Sequence, residues 1–191
     1  GDEPDGLAPA LRDILCRNRW TRWHPQMTWI HHWWCAIPAL RMRLPQAFAM
    51  ARRIILRERF PAGHARTTHW IHLTPDAWRV PEENYLAAAG ITEMLLQSQG
   101  DVIRLFPAWP SKKRAAFRGL PARGGFLIHA HLKPGRLLSA SFRSLAGNVC
   151  RILWPARTLP IITCQGKKIH IWRENHTIAF KTQRGKTYNL S

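Results

Sequence analysis

The sequence predicts an α+β protein in which N-terminal helices, over residues 1–100, precede an antiparallel β-sandwich over residues 101–191. The first observation is a change of hydrophobic period, because apolar residues recur at helical spacing before Gly100 and alternate with polar residues after it. The second is that short apolar stretches then follow about every ten residues, a spacing typical of sandwiches. A chain of 191 residues is long enough for one good core or two small ones.

Helices are predicted from apolar spacing at residues 9–18, 28–42, 45–60 and 84–99. The clearest one starts at Pro45, since proline is favoured at the first helical position, and it ends where Pro61 interrupts the pattern. The helix over 28–42 is expected to bend at Pro38, which removes a backbone donor. Residues 64–81 show no period and are predicted to form a loop.

Strands are predicted from alternating polarity at residues 101–106, 125–132, 137–144, 148–154, 158–163, 167–172 and 176–182. Between the second and third of these strands lies the sequence Lys-Pro-Gly-Arg, which predicts a hairpin. Pro134 fixes the first central angle of a type II turn, and Gly135 supplies the positive φ of the second. The region near residue 100 therefore separates a helical domain from an all-β domain.

The whole chain has a formal net charge of +18, and most of this positive charge lies in its second half. Residues 1–100 contain 12 Lys and Arg against 9 Asp and Glu, whereas residues 101–191 contain 17 against 2. A surface of this sign attracts polyanions such as nucleic acid or acidic glycans, while a solvated surface explains the same charge. Arg or His interrupts every apolar run, so no membrane span is predicted.

No cofactor and no metal site is predicted. The chain has four cysteines without any C-x-x-C spacing: Cys16, Cys35, Cys150 and Cys164. The last two fall in neighbouring predicted strands, where a disulfide is one alternative, but buried free thiols are favoured. His64, His69 and His72 share a loop at irregular spacing without a partner carboxylate, which argues against a zinc site.

Few carboxylates are candidates for acid–base chemistry. Most lie near the N-terminus, on helix faces or in turns, and Glu93 and Glu174 are assigned to such structural positions. Asp76, Glu82 and Glu83 remain, on or beside the irregular segment before the fourth helix, where loops commonly place functional groups. Two glutamates ahead of a helix also match the positive end of its dipole, and the residues alone favour that helix-cap interpretation.

A long motif string carries a resemblance to a known family. It consists of AGITEMLLQS at residues 89–98, DVIRLFPAWP at 101–110, FRGLPARGGF at 117–126, GRL at 135–137 and GNVCR at 147–151. In this order the string resembles the end of the catalytic domain and the following region in glycoside hydrolase family 95, the α-L-fucosidases. The resemblance covers roughly residues 82–155.

The resemblance implies a function and a larger architecture. Family members combine an (α/α)6 barrel, which carries catalysis, with a C-terminal β-sandwich, so residues 1–100 are expected to be the end of such a barrel. They hydrolyse α-linked fucose or related sugars with inversion, which requires a water between the sugar and the base. Their general acid and catalytic asparagine are expected upstream of residue 1, so the chain is expected to be inactive alone. The resemblance also implies a carbohydrate substrate and an extracytoplasmic location.

Five residues correspond to functional positions of that family. The Asp-Gly-Asn triplet ahead of the family's final helix falls on Glu82, Glu83 and Asn84, so both glutamates depart from the pattern. The extra methylene of Glu82 displaces its carboxylate by roughly an ångström, which is enough to cost about 10²-fold in rate. Trp23 and His24 lie in a WTRWH stretch similar to the family's Trp-Thr-Gly-Trp-Ser. Glu82 and Glu83 are therefore the catalytic candidates, and Trp23, His24 and Asn84 are the substrate-binding candidates.

Two other interpretations remain open from the sequence. One is a basic non-catalytic binding module for nucleic acid or an acidic glycan, which combines aromatic residues with a basic patch. The patch would contain Lys112, Lys113, Arg114, Arg118, Arg123, Lys167 and Lys168. The other is a diverged or truncated gene product whose few helices pack incompletely and leave apolar faces exposed, which would promote association of the chain.

Overall fold

The computed structural model describes residues 36–44, 46–57 and 82–191. The chain divides into two compact units, one that ends at Glu93 and one that contains Met94–Ser191. The domain boundary placed after residue 100 from the sequence stays a prediction. The helix predicted over 9–18, the loop predicted over 64–81 and most of the helix predicted over 28–42 lie outside the described residues.

The described part of the first unit is helical. Residues 36–41 are helical, helix α1 spans Ala47–Arg57, and helix α2 spans Glu82–Leu95. The apolar side chains of the first two segments are turned inward, and Leu40 and Ile54 are almost completely buried. These helices agree with the helical period of the sequence, but they leave the α/α barrel a prediction.

A short hairpin follows α2 in place of the straight strand predicted over residues 101–106. Its parts are strand β1 (Leu96–Gln97), a 3₁₀ turn (Gln99–Asp101) and strand β2 (Arg104–Leu105). Positive φ angles at Asp101, 56°, and Phe106, 53°, bend the backbone before and after β2 and so limit its length. The helix predicted to continue to residue 99 ends at Leu95, because the next two residues pair with β2.

Six strands form the larger sheet of the second unit: β3 (Ala115–Ala122), β4 (Phe126–Lys133), β5 (Arg136–Ser144), β7 (Ile162–Cys164), β8 (Lys167–Lys168) and β11 (Thr187–Leu190). Their order in the sheet is β3-β4-β5-β11-β7-β8, and all neighbours are antiparallel. The meander β3-β4-β5 and the hairpin β7-β8 are therefore joined only through β11, which comes last in sequence.

Three strands form the smaller sheet: β6 (Cys150–Leu153), β9 (Trp172–Glu174) and β10 (Thr177–Phe180). Strand β10 is central and pairs antiparallel with the other two. Ile103 is connected to β6 by an isolated parallel bridge. Its N–H donates to the Arg151 carbonyl at 2.8 Å, and its carbonyl accepts from the Leu153 N–H at 2.9 Å. The segment after the 3₁₀ turn is therefore attached to the edge of the smaller sheet.

The two sheets enclose one apolar core. Phe142 of the larger sheet and Phe180 of the smaller sheet have ring centroids 6.3 Å apart, and Phe180 also lies 5.4 Å from the ring of Tyr188. Ile128 and Ile178, one from each sheet, are fully buried in the same core. Side chains that alternate between core and solvent along each strand are typical of a sandwich. The β-sandwich predicted for this part of the chain is confirmed.

Two further expectations for the strands have different outcomes. The predicted hairpin is confirmed, since the register places Lys133 opposite Arg136. The single strand predicted over residues 167–172 is wrong, because its start is β8 in the larger sheet and its end is β9 in the smaller sheet. Ile169 and Ile171, between them, both pack against the core, so the polarity alternates as in one continuous strand.

Strands β3 and β11 are not predicted from the sequence. Strand β3 contains Gly119 and Pro121, which interrupt the alternating pattern of a strand. It tolerates both because it is an edge strand whose register shifts between Phe117 and Leu120. Strand β11 has only four residues, yet its burial alternates strictly and it pairs on both sides.

Buried hydroxyl groups connect the turn after β5 to the rest of the sandwich. The hydroxyl oxygens of Ser144 and Thr182 lie 2.8 Å apart. The Ser144 hydroxyl also accepts from the Gly147 N–H at 3.0 Å, and the Thr182 hydroxyl donates to the Asn148 carbonyl. Ser144 is completely buried, so this network satisfies a polar group that would otherwise destabilise the core.

The turn between β3 and β4 lies directly against the turn after β5. The Gly125 carbonyl accepts from the Leu145 N–H at 2.7 Å, and the Gly124 carbonyl accepts from the Asn148 side-chain amide at 3.1 Å. Gly125 has a φ of +74°, and a Cβ added there would lie 2.8 Å from the Cβ of Ala146. Both the backbone angle and the close approach therefore require glycine at this position.

Candidate functional site

The structure describes the backbone of some of the five residues assigned from the sequence and none of their side chains. Glu82, Glu83 and Asn84 form the first turn of α2. Their side chains lie outside the described part of the chain, as do Trp23 and His24 entirely. A position at a helix N-terminus agrees equally with a catalytic role and with the helix-dipole interpretation. The catalytic and sugar-binding assignments of all five residues stay predictions.

The sequence analysis assigns Glu93 to a helix face. In the structure it is a nearly buried residue with a partner on another helical segment. Its exposed fraction is 9%. The Glu93 oxygen Oε1 accepts from Arg41 Nε at 2.8 Å and lies 2.8 Å from Arg41 Nη2. This ion pair links α2 to the helical segment 36–41 across 52 residues of sequence. Sequence periodicity places Glu93 on the helix but carries no information about its distant partner.

An aromatic and ionic cluster lies on the outer face of the smaller sheet. The Trp172 indole N–H donates to Oε1 of Glu174 at 2.8 Å, and Arg151 Nε donates to Oε2 of the same carboxylate at 3.1 Å. The His170 ring lies two residues before, with its plane 22° from that of Trp172 and the centroids 6.3 Å apart. We call these four residues the Trp172 cluster.

The register of the sheet explains why these side chains share one face. Ile178 and Phe180 of β10 are fully buried in the core, so the intervening Ala179 points to the opposite face. Ala179 is paired with Arg151 on one side and with Trp172 on the other. The signal that sequence analysis missed is the alternation of His, Trp and Glu at residues 170, 172 and 174, which places Trp172 and Glu174 on one face of β9, with His170 just before the strand.

Hydrogen bonds stabilise the ionised carboxylate of the Trp172 cluster. The bond from the Trp172 indole and then the bond from Arg151 hold the pKa of Glu174 below its ordinary value of 4.5. Glu174 is ionised at neutral pH, as a carboxyl with its ordinary pKa also is, and its charge offsets that of Arg151. The side chains of Arg151 and Glu174 remain 37% and 42% exposed. This geometry suits ligand binding through hydrogen bonds.

Positive charge gathers at the corner of the larger sheet where β4 turns into β5. Lys133 and Arg136 are opposite each other in the register, and like charges in this position repel. The Gly135 N–H donates to the Ser111 carbonyl at 2.8 Å, which brings the segment after Ser111 to the same corner. The basic corner is a set of five exposed residues: Lys112, Lys113, Arg114, Lys133 and Arg136.

The basic patch predicted from the sequence is not one continuous surface. Arg118 belongs to β3 and Lys167 and Lys168 form β8, and these strands are the opposite edges of the six-stranded sheet. The physical reason is that β11 inserts between β5 and β7, which separates β8 from β3 by four strands. The basic corner is the part of the predicted patch that the fold keeps together and extends.

The two described cysteines are free, as expected. Cys150 lies in the smaller sheet and Cys164 in the larger one. Burial raises the pKa of the Cys150 thiol, so its reactive thiolate is scarce.

Within the described ranges, no group of three or more His, Cys, Asp and Glu side chains could hold a metal ion. The three loop histidines considered above lie outside those ranges. In the same part of the chain, no helix has the length and apolar character needed to cross a membrane.

The fold defines the class of the second unit as an antiparallel β-sandwich domain that follows a helical segment. Residues 97–190 match the family model of the glycoside hydrolase family 95 C-terminal domain. The matched range extends from β1 to β11 and so contains the whole sandwich. No curated protein matches the sequence. The family match supports a glycoside hydrolase, whereas the α-L-fucosidase activity and the (α/α)6 barrel stay predictions.

Proposed function

We propose that the chain is the C-terminal portion of an inverting glycoside hydrolase that acts on α-L-fucosides or related sugars and is inactive without an upstream segment. The observation that supports this proposal is the match of residues 97–190 to the family 95 C-terminal domain. In this proposal, residues 1–100 are the end of an (α/α)6 barrel, and residues 101–191 are the appended sandwich. The substrate is a carbohydrate, and the upstream segment supplies the general acid and the water-activating asparagine.

The proposed role of the α2 N-terminus follows from the family triplet. Glu82 takes the place of the aspartate that orients the catalytic asparagine, while Glu83 occupies a position that is glycine in the family. Asn84 contacts the sugar together with Trp23 and His24. Inversion requires acid and base groups about 6.5–9.5 Å apart, so a displacement of roughly one ångström at Glu82 changes the position of the attacking water.

The test compares the 191-residue chain with a longer protein that includes the natural upstream polypeptide. We expect no turnover of an aryl α-L-fucoside by the chain alone, and hydrolysis with inversion, followed by NMR of the released sugar, by the longer protein. In the longer protein, Glu82→Asp should raise kcat by about 10-fold or more, and Glu82→Gln should lower it. Asp101→Asn, in an exposed turn, is the matched control and should leave kcat unchanged.

Two results would contradict separate parts of this proposal. Turnover by the isolated chain would show that the upstream segment is not needed. A longer protein that folds but hydrolyses neither α-L-fucosides nor related glycosides would refute the proposed substrate.

A polyanion partner is the second proposal for this chain, and the basic corner is the observation that favours it. The family match does not favour a purely non-catalytic module, but an anionic contact is compatible with a glycoside hydrolase. The Lys133→Gln/Arg136→Gln double variant should elute from heparin at lower salt than the Lys167→Gln/Lys168→Gln control, which has the same net charge. Equal elution of the two variants would show that only total charge matters.

A further inference from the structure

Trp172 is held at the surface by hydrogen bonds instead of being packed into the core. Its neighbours Ile169 and Ile171 pack against the sandwich core, whereas the Trp172 side chain points to the opposite face. The indole is fixed by Glu174, which is itself fixed by Arg151. A tryptophan in a core or an interface buries roughly 150–250 Å². The Trp172 side chain is only partly buried, so part of its apolar face stays available for contact with a ligand.

The indole has a short side chain as its cross-strand neighbour. Ala179 points away from the core and is fully buried, and its cross-strand partners are Trp172 and Arg151. The His170 ring is nearly parallel to the indole, and its centroid lies 6.3 Å away. Two planes in direct contact are separated by about 3.5–4 Å, so these rings are offset and each leaves part of its face uncovered by the other.

We propose that the Trp172 cluster is a binding platform for the pyranose rings of a neutral glycan. The C–H face of a pyranose is apolar and stacks on an indole, whose area provides most of the contact. Sugar hydroxyls both donate and accept, so they match a carboxylate acceptor beside a guanidinium donor. Glu174 and Arg151 present these two groups at the edge of the ring and remain 42% and 37% exposed.

Local charge at the cluster does not favour a polyanion. Although the chain is strongly basic, Glu174 offsets the charge of Arg151 within the cluster. A phosphate or a uronate on the indole would be attracted by Arg151 and repelled by Glu174 to a similar degree, so the pair gives it no net electrostatic gain. The basic corner belongs to the other sheet. Nucleobases also stack on aromatic rings, but their phosphates gain no net attraction at the cluster.

The inference goes beyond the proposed hydrolase function and does not depend on it, because the platform needs no catalytic residue. The test uses the full 191-residue chain and a panel of neutral oligosaccharides of glucose, galactose, mannose and xylose, together with a fucosylated lactose. NMR follows the indole N–H signals, of which the Trp172 signal is identified by its loss in Trp172→Phe. We expect this signal to shift with at least one sugar, and Trp172→Ala to weaken binding by about tenfold or more.

A matched control is another tryptophan of the sandwich. The Trp154 indole donates to the Thr158 backbone carbonyl at 2.8 Å, and its side chain packs against the core. Trp154→Phe should therefore leave sugar affinity unchanged. Amide spectra show whether each variant is folded. If Trp172→Ala is unfolded, Glu174→Gln replaces it as the test and should also weaken binding, because the neutral amide holds the indole and Arg151 less firmly.

Three results would overturn the platform. The first is a panel in which no neutral sugar shifts the Trp172 signal. The second is binding that survives in folded Trp172→Ala. The third is a response confined to DNA or polygalacturonate and lost in about 0.5 M NaCl, which would identify a polyanion site. Turnover assays test the hydrolase proposal separately, so sugar binding without hydrolysis would leave the platform standing.

Discussion

Replacement of Gly125 by alanine tests the close approach of two turns in the sandwich. The added Cβ would lie 2.8 Å from the Cβ of Ala146, at a residue whose φ is +74°. A left-handed backbone destabilises a folded non-glycine residue by about 1–2 kcal/mol. Alanine also lowers the conformational entropy of the unfolded chain, which stabilises the folded state by about 0.4–1 kcal/mol. Overpacking adds about 1–3 kcal/mol. We therefore expect Gly125→Ala to lower the free energy of unfolding by about 1–4.5 kcal/mol, with a middle value near 3 kcal/mol.

The matched control is Gly135→Ala in the β4–β5 turn. Its φ of +79° is similar, but no atom lies within 4 Å of the added Cβ, so this variant measures the backbone cost alone. We expect it to destabilise by about 1 kcal/mol. Adding Ala146→Gly to Gly125→Ala removes the clash and should recover most of the difference between the two single variants.

Native-state hydrogen exchange of the Ile128 and Phe142 amides measures these differences within the sandwich itself. The two residues are cross-strand partners in β4 and β5, so their slow exchange reports on opening of the core sheet. Urea titrations of the same variants provide a second measurement. Equal destabilisation by Gly125→Ala and Gly135→Ala would refute the argument, because the steric contribution would then be absent.

Three further predictions concern buried and paired groups. Ser144→Ala should cost about 1–3 kcal/mol in urea titrations because it leaves buried partners unsatisfied, while Ser139→Ala, at an exposed position of the same strand, should change little. The Cys150 thiol should react with iodoacetamide only after unfolding, as peptide mapping would show, and rapid labelling of the native chain would contradict its burial. The pKa of Glu174 is lowered on folding, so its bond to the Trp172 indole should persist above pH 4.5 and be lost as pH falls through the lower folded-state pKa. An NMR titration of the indole proton that matches that of Glu174→Gln would contradict this.

Local sequence patterns predict those parts of the fold that local chemistry determines. The β4–β5 hairpin is predictable because Pro134 and Gly135 specify a turn without help from distant residues. The sandwich is predictable as a class because polarity alternates along its strands. In contrast, β3 contains a glycine and a proline that only an edge position tolerates. Its edge position depends on the order of strands in the finished sheet, which no local pattern reveals.

Side-chain partners distant in sequence are the main reason why site predictions were incomplete. Glu93 resembles any acidic residue on a helix, but it forms an ion pair with Arg41, which lies 52 residues earlier. Glu174 resembles a residue next to a turn, but Arg151 of another strand and the Trp172 indole decide its environment. The candidates taken from the family pattern, Glu82 and Glu83, depended on alignment with a motif and not on any partner.

The central position of β11 has a consequence for the order in which the sandwich assembles during synthesis. Strands β3, β4 and β5 are made in succession and can pair as soon as they emerge, since each lies beside its predecessor in sequence. The hairpin β7-β8 has no place to attach until Thr187–Leu190 is available to bridge it to β5. Non-local pairing of this kind slows folding and leaves an unpaired edge on β5 in the meantime. Until Thr187–Leu190 is available, the larger sheet is therefore half-built, and the open edge of β5 is a place where misassembly can start.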